Sequence, residues 1–105
     1  MSGAYERVLD STVRVIMYVA YKIGQYGPDV MDYSVVLVVE VDDRKETVRV
    51  YDGAHRENEL HRYTRDQGKQ AGEVFNRGNL GEGMRAAIEE IERSYEAMID
   101  GWYRA

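Results

Sequence analysis

The chain has no cysteine, one proline, one tryptophan, one phenylalanine and two histidines among 105 residues. Without thiols, disulfides and thiolate metal sites are excluded, and a cytoplasmic setting is the expectation. No apolar run approaches the ~20 residues of a membrane-spanning helix. The opening Met1-Ser2-Gly3-Ala4-Tyr5-Glu6-Arg7 lacks the basic and then apolar run of a signal peptide. Glycines occur at 68, 72, 78, 81 and 83, but no lysine follows the last of them and no strand precedes them, which excludes a phosphate-binding loop.

What is present describes one domain, residues 1–105. At this size roughly 65% of the unfolded surface can be buried, enough for one core. With 44% hydrophobic and 31% charged residues the chain lies outside the disordered class. Its formal charge of −5 is unevenly spread. Residues 1–43 carry three basic against seven acidic side chains, residues 44–77 eight against six, and residues 78–105 three against six. The middle segment alone is locally basic, so an anionic partner would bind there.

Residues 4–10 read as a short lead-in strand or a helical turn. From Ser11 to Ile23, Val13, Val15, Met17, Val19, Tyr21 and Ile23 alternate with the residues between them, the period of a strand. Gly24-Gln25-Tyr26-Gly27-Pro28-Asp29 is turn-rich. Tyr33 to Val41 is apolar at nearly every position, as expected of a central strand covered on both faces. In so small a domain a second copy of the chain would supply the outer cover, so a homodimer is expected. Asp42-Asp43-Arg44-Lys45 is a polar hairpin turn. Glu46 to Asp52 forms a third strand with Val48 and Val50 inward and Arg49 and Tyr51 outward, and Glu59 to Thr64 a short fourth. Residues 65–78 read as an irregular loop plugged onto the core by Phe75. Asn79-Leu80-Gly81-Glu82 has the form of a helix N-cap with an acidic residue three positions on. Met84, Ile88, Ile91, Tyr95, Met98 and Trp102 then make one apolar stripe along a helix over about 80–103. The expected fold is α+β: an antiparallel meander of about four strands over residues 11–64, with one long C-terminal amphipathic helix on one face.

Both histidines fall within the basic segment, His55 in the loop over residues 53–58 between the third and fourth strands and His61 near the start of the fourth. Folding that hairpin would bring Asp52, His55 and His61 into a patch about 10 Å across, given the ~4.8 Å strand spacing. Two imidazoles beside an arginine can act as base and acid in phosphodiester cleavage without metal. Arg56 or Arg62 would grip the phosphate through a planar fork and Tyr63 orient it or supply a proton, with Arg49, Arg56 and Arg65 as the substrate-binding candidates. The same histidines with Asp52 could ligate a divalent ion, but their spacing matches no defined ligand motif, so no metal or other cofactor is expected. Nine tyrosines invite a base-stacking reading. Most fall in strands or on the helix stripe, where packing accounts for them.

Tyr51-Asp52-Gly53-Ala54-His55, His61-Arg62-Tyr63-Thr64, Gly68-Lys69-Gln70 and Met84-Arg85-Ala86-Ala87-Ile88, with Tyr95, Met98-Ile99 and Trp102, resemble a family of small uncharacterised prokaryotic proteins. That family has an Asp-x-Ala-His…His-Arg-Tyr signature on a small sheet ahead of a C-terminal helix, and the resemblance covers roughly residues 46–104. The chain also resembles, more loosely, the TumE-type toxins of toxin–antitoxin modules, although those cluster their histidines tightly whereas Arg56 to Leu60 separate them here. The toxin resemblance implies a metal-independent ribonuclease held in check by a small antitoxin partner, with Asp52, His55, His61, Arg62 and Tyr63 as the candidate site and RNA as substrate. The competing expectation is a non-catalytic interaction module, an antitoxin or accessory subunit, recognising its partner through Tyr51, His61, Arg62 and Tyr63. Net acidity favours the module, and the clustering of histidines with arginines favours the enzyme.

Overall fold

The computed structural model describes residues 1–24 and 29–104; most of the turn-rich segment from Gly24 to Asp29 lies outside the described residues. Strands β1 (Ser2–Asp10), β2 (Val15–Ile23), β3 (Val30–Val41), β4 (Arg44–Asp52) and β5 (Asn58–Thr64) form an antiparallel meander. Two short strands, β6 (Gly68–Lys69) and β7 (Glu73–Asn76), both pair with β5, and helix α1 (Leu80–Arg104) closes the chain. The α+β class and the helix packed on an antiparallel sheet are as expected. The sheet, however, has seven strands rather than about four.

Local chemistry accounts for two of the three additional strands, β1 and β6. Asp10 accepts hydrogen bonds from the backbone N–H groups of Thr12 (2.9 Å) and Val13 (3.1 Å). This carboxylate-capped turn breaks the alternating run that begins at Ser11, so β2 starts at Val15. The lead-in residues are thereby released as a full nine-residue strand. Beyond β5, Gly68 adopts φ +70°, a left-handed turn that folds residues 68–69 back onto Tyr63 and Thr64. Pieces of two and four residues carry too little periodicity to be distinguished from a loop.

The β3–β4 connection is a two-residue turn, with Asp42 at φ 53° and Asp43 at φ 62°. Two successive left-handed residues match the twist of the flanking strands. Further along this pair, Leu37 faces Arg49 whereas Val38 faces Thr47, leaving Val48 as an extra bulged residue. The bulge reverses the alternation. Val48 and Tyr51 both reach the core, at 2% and 0% exposure, although two residues lie between them and unbroken alternation would send them to opposite faces. Tyr51 is therefore inward and not on the surface, and Arg49 lies on the helix side, with its side chain only 15% exposed.

The core lies between the sheet and α1. It comprises Val15, Met17 and Val19 of β2, Tyr33, Val35, Leu37 and Val39 of β3, Val48, Tyr51 and Leu60, against Ala87, Ile91, Met98 and Trp102 of the helix. Phe75 of β7 closes its end, edge-on to Tyr51 with ring centroids 4.9 Å apart. On the other face, Ile16 and Val38 are opposed in the β2–β3 register and also buried. The hydroxyl of Tyr18 accepts from the Lys45 ammonium at 3.1 Å. The register places that contact diagonally across β3, so the tyrosine ring and lysine stem shelter the two aliphatic side chains.

The helix begins as its cap residues dictate. Asn79 Oδ1 accepts from the Glu82 N–H at 2.8 Å, and a Glu82 carboxylate oxygen accepts from the Asn79 N–H at 3.4 Å. Gly83 is required by close approach: a Cβ there would lie 1.8 Å from Oδ1 of Asn58. Asn58, 1% exposed, accepts from the Tyr33 hydroxyl at 2.7 Å. Its amide nitrogen donates to the carbonyls of Asn76 (3.3 Å), Gly78 (3.0 Å) and Asn79 (3.2 Å). One buried amide thus fastens the start of β5 to the end of β7 and the head of α1. No helix among the described residues is long and apolar enough to cross a membrane.

Candidate functional site

The β4–β5 hairpin carries the residues singled out from the sequence. Its register opposes Asp52 to Glu59, Tyr51 to Leu60, Val50 to His61 and Arg49 to Arg62. Alternation along β5 puts Glu59 and His61 on the face away from the helix, and Leu60 and Arg62 on the helix face. His61 and Arg62, adjacent in sequence, thus project from opposite sides of the sheet.

His61 is held within the protein. Its Nδ1 faces the carbonyl oxygen of Gln70 at 3.2 Å and its Nε2 faces a carboxylate oxygen of Glu59 at 3.4 Å. Gly72 permits this, since a Cβ at that position would lie 2.7 Å from the ring. The side chain is 16% exposed, with both nitrogens occupied. His55 is exposed in the loop after β4. There the backbone N–H of Gly53 donates to the carbonyl of Tyr33 (3.1 Å) and that of Arg56 to the carbonyl of Gly53 (3.1 Å). Arg56 takes φ 62°, an uncommon left-handed conformation for a side chain of its size. His61 lies two rungs, about 7 Å, from the Asp52–Glu59 pair, and His55 is further on in the loop. Among the described residues no hydrogen bond or ion pair joins His55, His61 and Asp52 to one another.

The arginines are similarly dispersed. Arg62 pairs with Glu73 of β7. Arg49 lies beneath the helix with Nη1 3.3 Å from the Tyr51 hydroxyl and 3.7 Å from Glu90, and its buried Nε has no partner among the described residues. Arg65 stacks its guanidinium 4.4 Å over the ring of Tyr103. Arg56 lines an open cavity with Arg85 at the helix head. Tyr63 is half-buried against the core and opposes Lys69. Asp52 accepts from the Ala54 N–H at 3.2 Å, bracing the loop.

Burial holds the two core phenols in their neutral form. Burial pushes Tyr51 up to about 12, against the opposing pull of its bond from Arg49. Tyr33 is raised further, by burial and then by the nearby charge of Asp52. Tyr51 is inaccessible and drops out of any recognition patch. Among the described residues no group of three or more histidine, aspartate or glutamate side chains is arranged to hold a metal ion.

Two features escape reasoning from the sequence. Asn58 reads there as a loop residue, and its only signal is a glycine at 83 in the first turns of a helix, where glycine weakens the fold without a packing reason. The other is the outer edge of β1. Each rung from Gly3 to Arg7 pairs with β2 on one side, and among the described residues no strand pairs on the other. Comparison with protein-family models, curated proteins and solved structures finds no match.

Proposed function

We propose that the protein is a non-catalytic protein-interaction module that acts as a homodimer. The observation that carries this reading is the contrast between an internally engaged histidine–arginine segment and an unpaired edge strand. His61, Arg62, Arg49 and Arg65 each contact another part of the same chain through their charged or ring groups. Strand β1 instead presents nine residues with Tyr5 43% and Val8 52% exposed. An open strand edge is a template for pairing with another chain. The net charge of −5 also suits a protein partner better than a polyanion. Sedimentation equilibrium over a hundredfold concentration range is expected to show a monomer–dimer equilibrium.

One observation favours the toxin-like ribonuclease as a second reading. The Gln70 carbonyl at Nδ1 fixes the orientation of the His61 ring, as a general base requires, and Glu59 would have to move away from Nε2 for that nitrogen to take a proton. Incubation of mixed cellular RNA with the purified protein in chelator decides between the two. The module reading predicts no cleavage. Cleavage by the native chain that is lost in folded His61→Ala and His55→Ala would replace it with the enzyme.

A further inference from the structure

Backbone geometry determines which groups β1 offers to a partner. The amide of Ile23 donates to the carbonyl of Met1 at 2.7 Å, and the amino group of Met1 donates back to the carbonyl of Ile23 at 3.3 Å. Met1 and Ile23 are thus a pair that exchanges both bonds. Such pairs alternate along an antiparallel ladder, so Gly3, Tyr5 and Arg7 direct their N–H and C=O groups at Tyr21, Val19 and Met17. Ser2, Ala4, Glu6 and Val8 then direct theirs outward. Protection of this edge is slight: residues 2–8 contain no proline and no lysine, the only charged side chains are Glu6 and the Arg7 paired with Glu92, and the irregularity comes later, between Val8 and Asp10.

From this we infer that the partner of β1 is the β1 strand of a second copy, paired antiparallel about a two-fold axis at Tyr5. The inference rests on the homodimer reading above. Hydrogen bonding requires each outward-facing residue to oppose another, so opposed residues share parity, and under two-fold symmetry this leaves three central registers. With Tyr5 opposite its own copy, Ser2 faces Val8 and Ala4 faces Glu6, each twice. Those four rungs exchange eight main-chain hydrogen bonds. Charge is also accommodated, since Glu6 meets alanine and Arg7 meets glycine. Centring on Glu6 would oppose two carboxylates, a destabilising cross-strand pair, and its outermost rungs would fall on the irregularity at Asp10. Centring on Ala4 reduces the bonded rungs to three. The Tyr5 register also sets two half-exposed phenol rings side by side on the helix face, a favourable aromatic pair. Arg7 stays free to keep its ion pair with Glu92 of its own helix. The product is one continuous sheet through both copies with both helices on the same face.

The absence of native cysteine makes the register directly measurable. Opposed residues at a rung without hydrogen bonds have Cα atoms about 4.5 Å apart, within disulfide range. Oxidised Tyr5→Cys is expected to form a covalent dimer. Glu6→Cys, offset from its own copy by two residues, and Val13→Cys, exposed in the turn after β1, are expected to remain single chains. Glu6→Pro removes an outward N–H in each copy without removing a bond to β2. It is expected to weaken the dimer roughly tenfold or more. Should that variant fail to fold, the cysteine series decides alone. Linking of Glu6→Cys in place of Tyr5→Cys overturns the register. A native dimer in which neither cysteine links overturns the edge assignment while leaving the homodimer to another surface. A native chain that is monomeric at every concentration removes the homodimer reading itself.

Discussion

At one side of the sheet β5 is covered by two short strands, Gly68–Lys69 and Glu73–Asn76, and at the other the nine residues of β1 have no outer neighbour among the described residues. The covered side is also where buried polar chemistry is concentrated. Asn58 ties β5, β7 and α1 together, Phe75 seals Tyr51, and Arg62 reaches across to Glu73. Beyond its ladder with β2 and the packing of Leu9 on the core, β1 makes few contacts: an arginine–glutamate pair to the helix and a long bond, 3.4 Å, from the Tyr95 hydroxyl to the Leu9 carbonyl. The difference separates two roles. One edge is closed to stabilise the fold, and the other is left with its backbone groups available for recognition.

Substitutions at the closed edge should therefore act on stability, and the largest effect is expected at Asn58. Asn58→Ala leaves the Tyr33 hydroxyl without its acceptor and takes a donor from the carbonyls of Asn76, Gly78 and Asn79, the last of which keeps the Gly83 N–H. A loss of about 3–5 kcal/mol is expected in urea unfolding of the protein. A loss below ~1 kcal/mol would mean that the helix head is held by packing alone. The phenols give the next effect, and it depends on pH. A tyrosine ionises in the unfolded chain near 10, whereas in the folded protein Tyr51 is held up to about 12 and Tyr33 is raised as well. The unfolded state therefore loses its phenolic protons first, so the full stability is present below pH 10 and is lost progressively as pH rises from 10 toward 12. The urea midpoint should fall across that window, and Tyr51→Phe should flatten the fall. A slope identical to that of the native protein would show that Tyr51 ionises without penalty. The smallest effect is expected at Arg62, whose pair with Glu73 is about half exposed on both sides. Arg62→Ala should cost no more than about 0.5 kcal/mol, and less in high salt.

The elements with sustained periodicity are legible in the amino-acid order alone. The stripe from Met84 to Trp102, the cap at Asn79 with Glu82, the apolar strand ending at Val41 and the anchoring role of Phe75 all stand. Each rests on a pattern repeated over many residues or on one strongly biased position. What is not legible depends on a single residue acting over distance. The Asp10 turn exchanges one long strand for two. The bulge at Val48 turns Tyr51 inward and takes it out of the expected recognition surface. The candidate site is the least legible part, because nearness along the chain is not nearness in space. His61 and Arg62 are neighbours in sequence, and strand alternation sends them to opposite faces.

Amide hydrogen exchange in the native chain, followed residue by residue at low and high protein concentration, tests the central claim most directly. Gly3, Tyr5 and Arg7 bond to β2 and should be protected at both concentrations. Ala4, Glu6 and Val8 point outward and should be protected only at high concentration, when a second β1 strand is in place. If those three amides exchange freely under conditions where the protein is dimeric, the open edge is not where two copies meet.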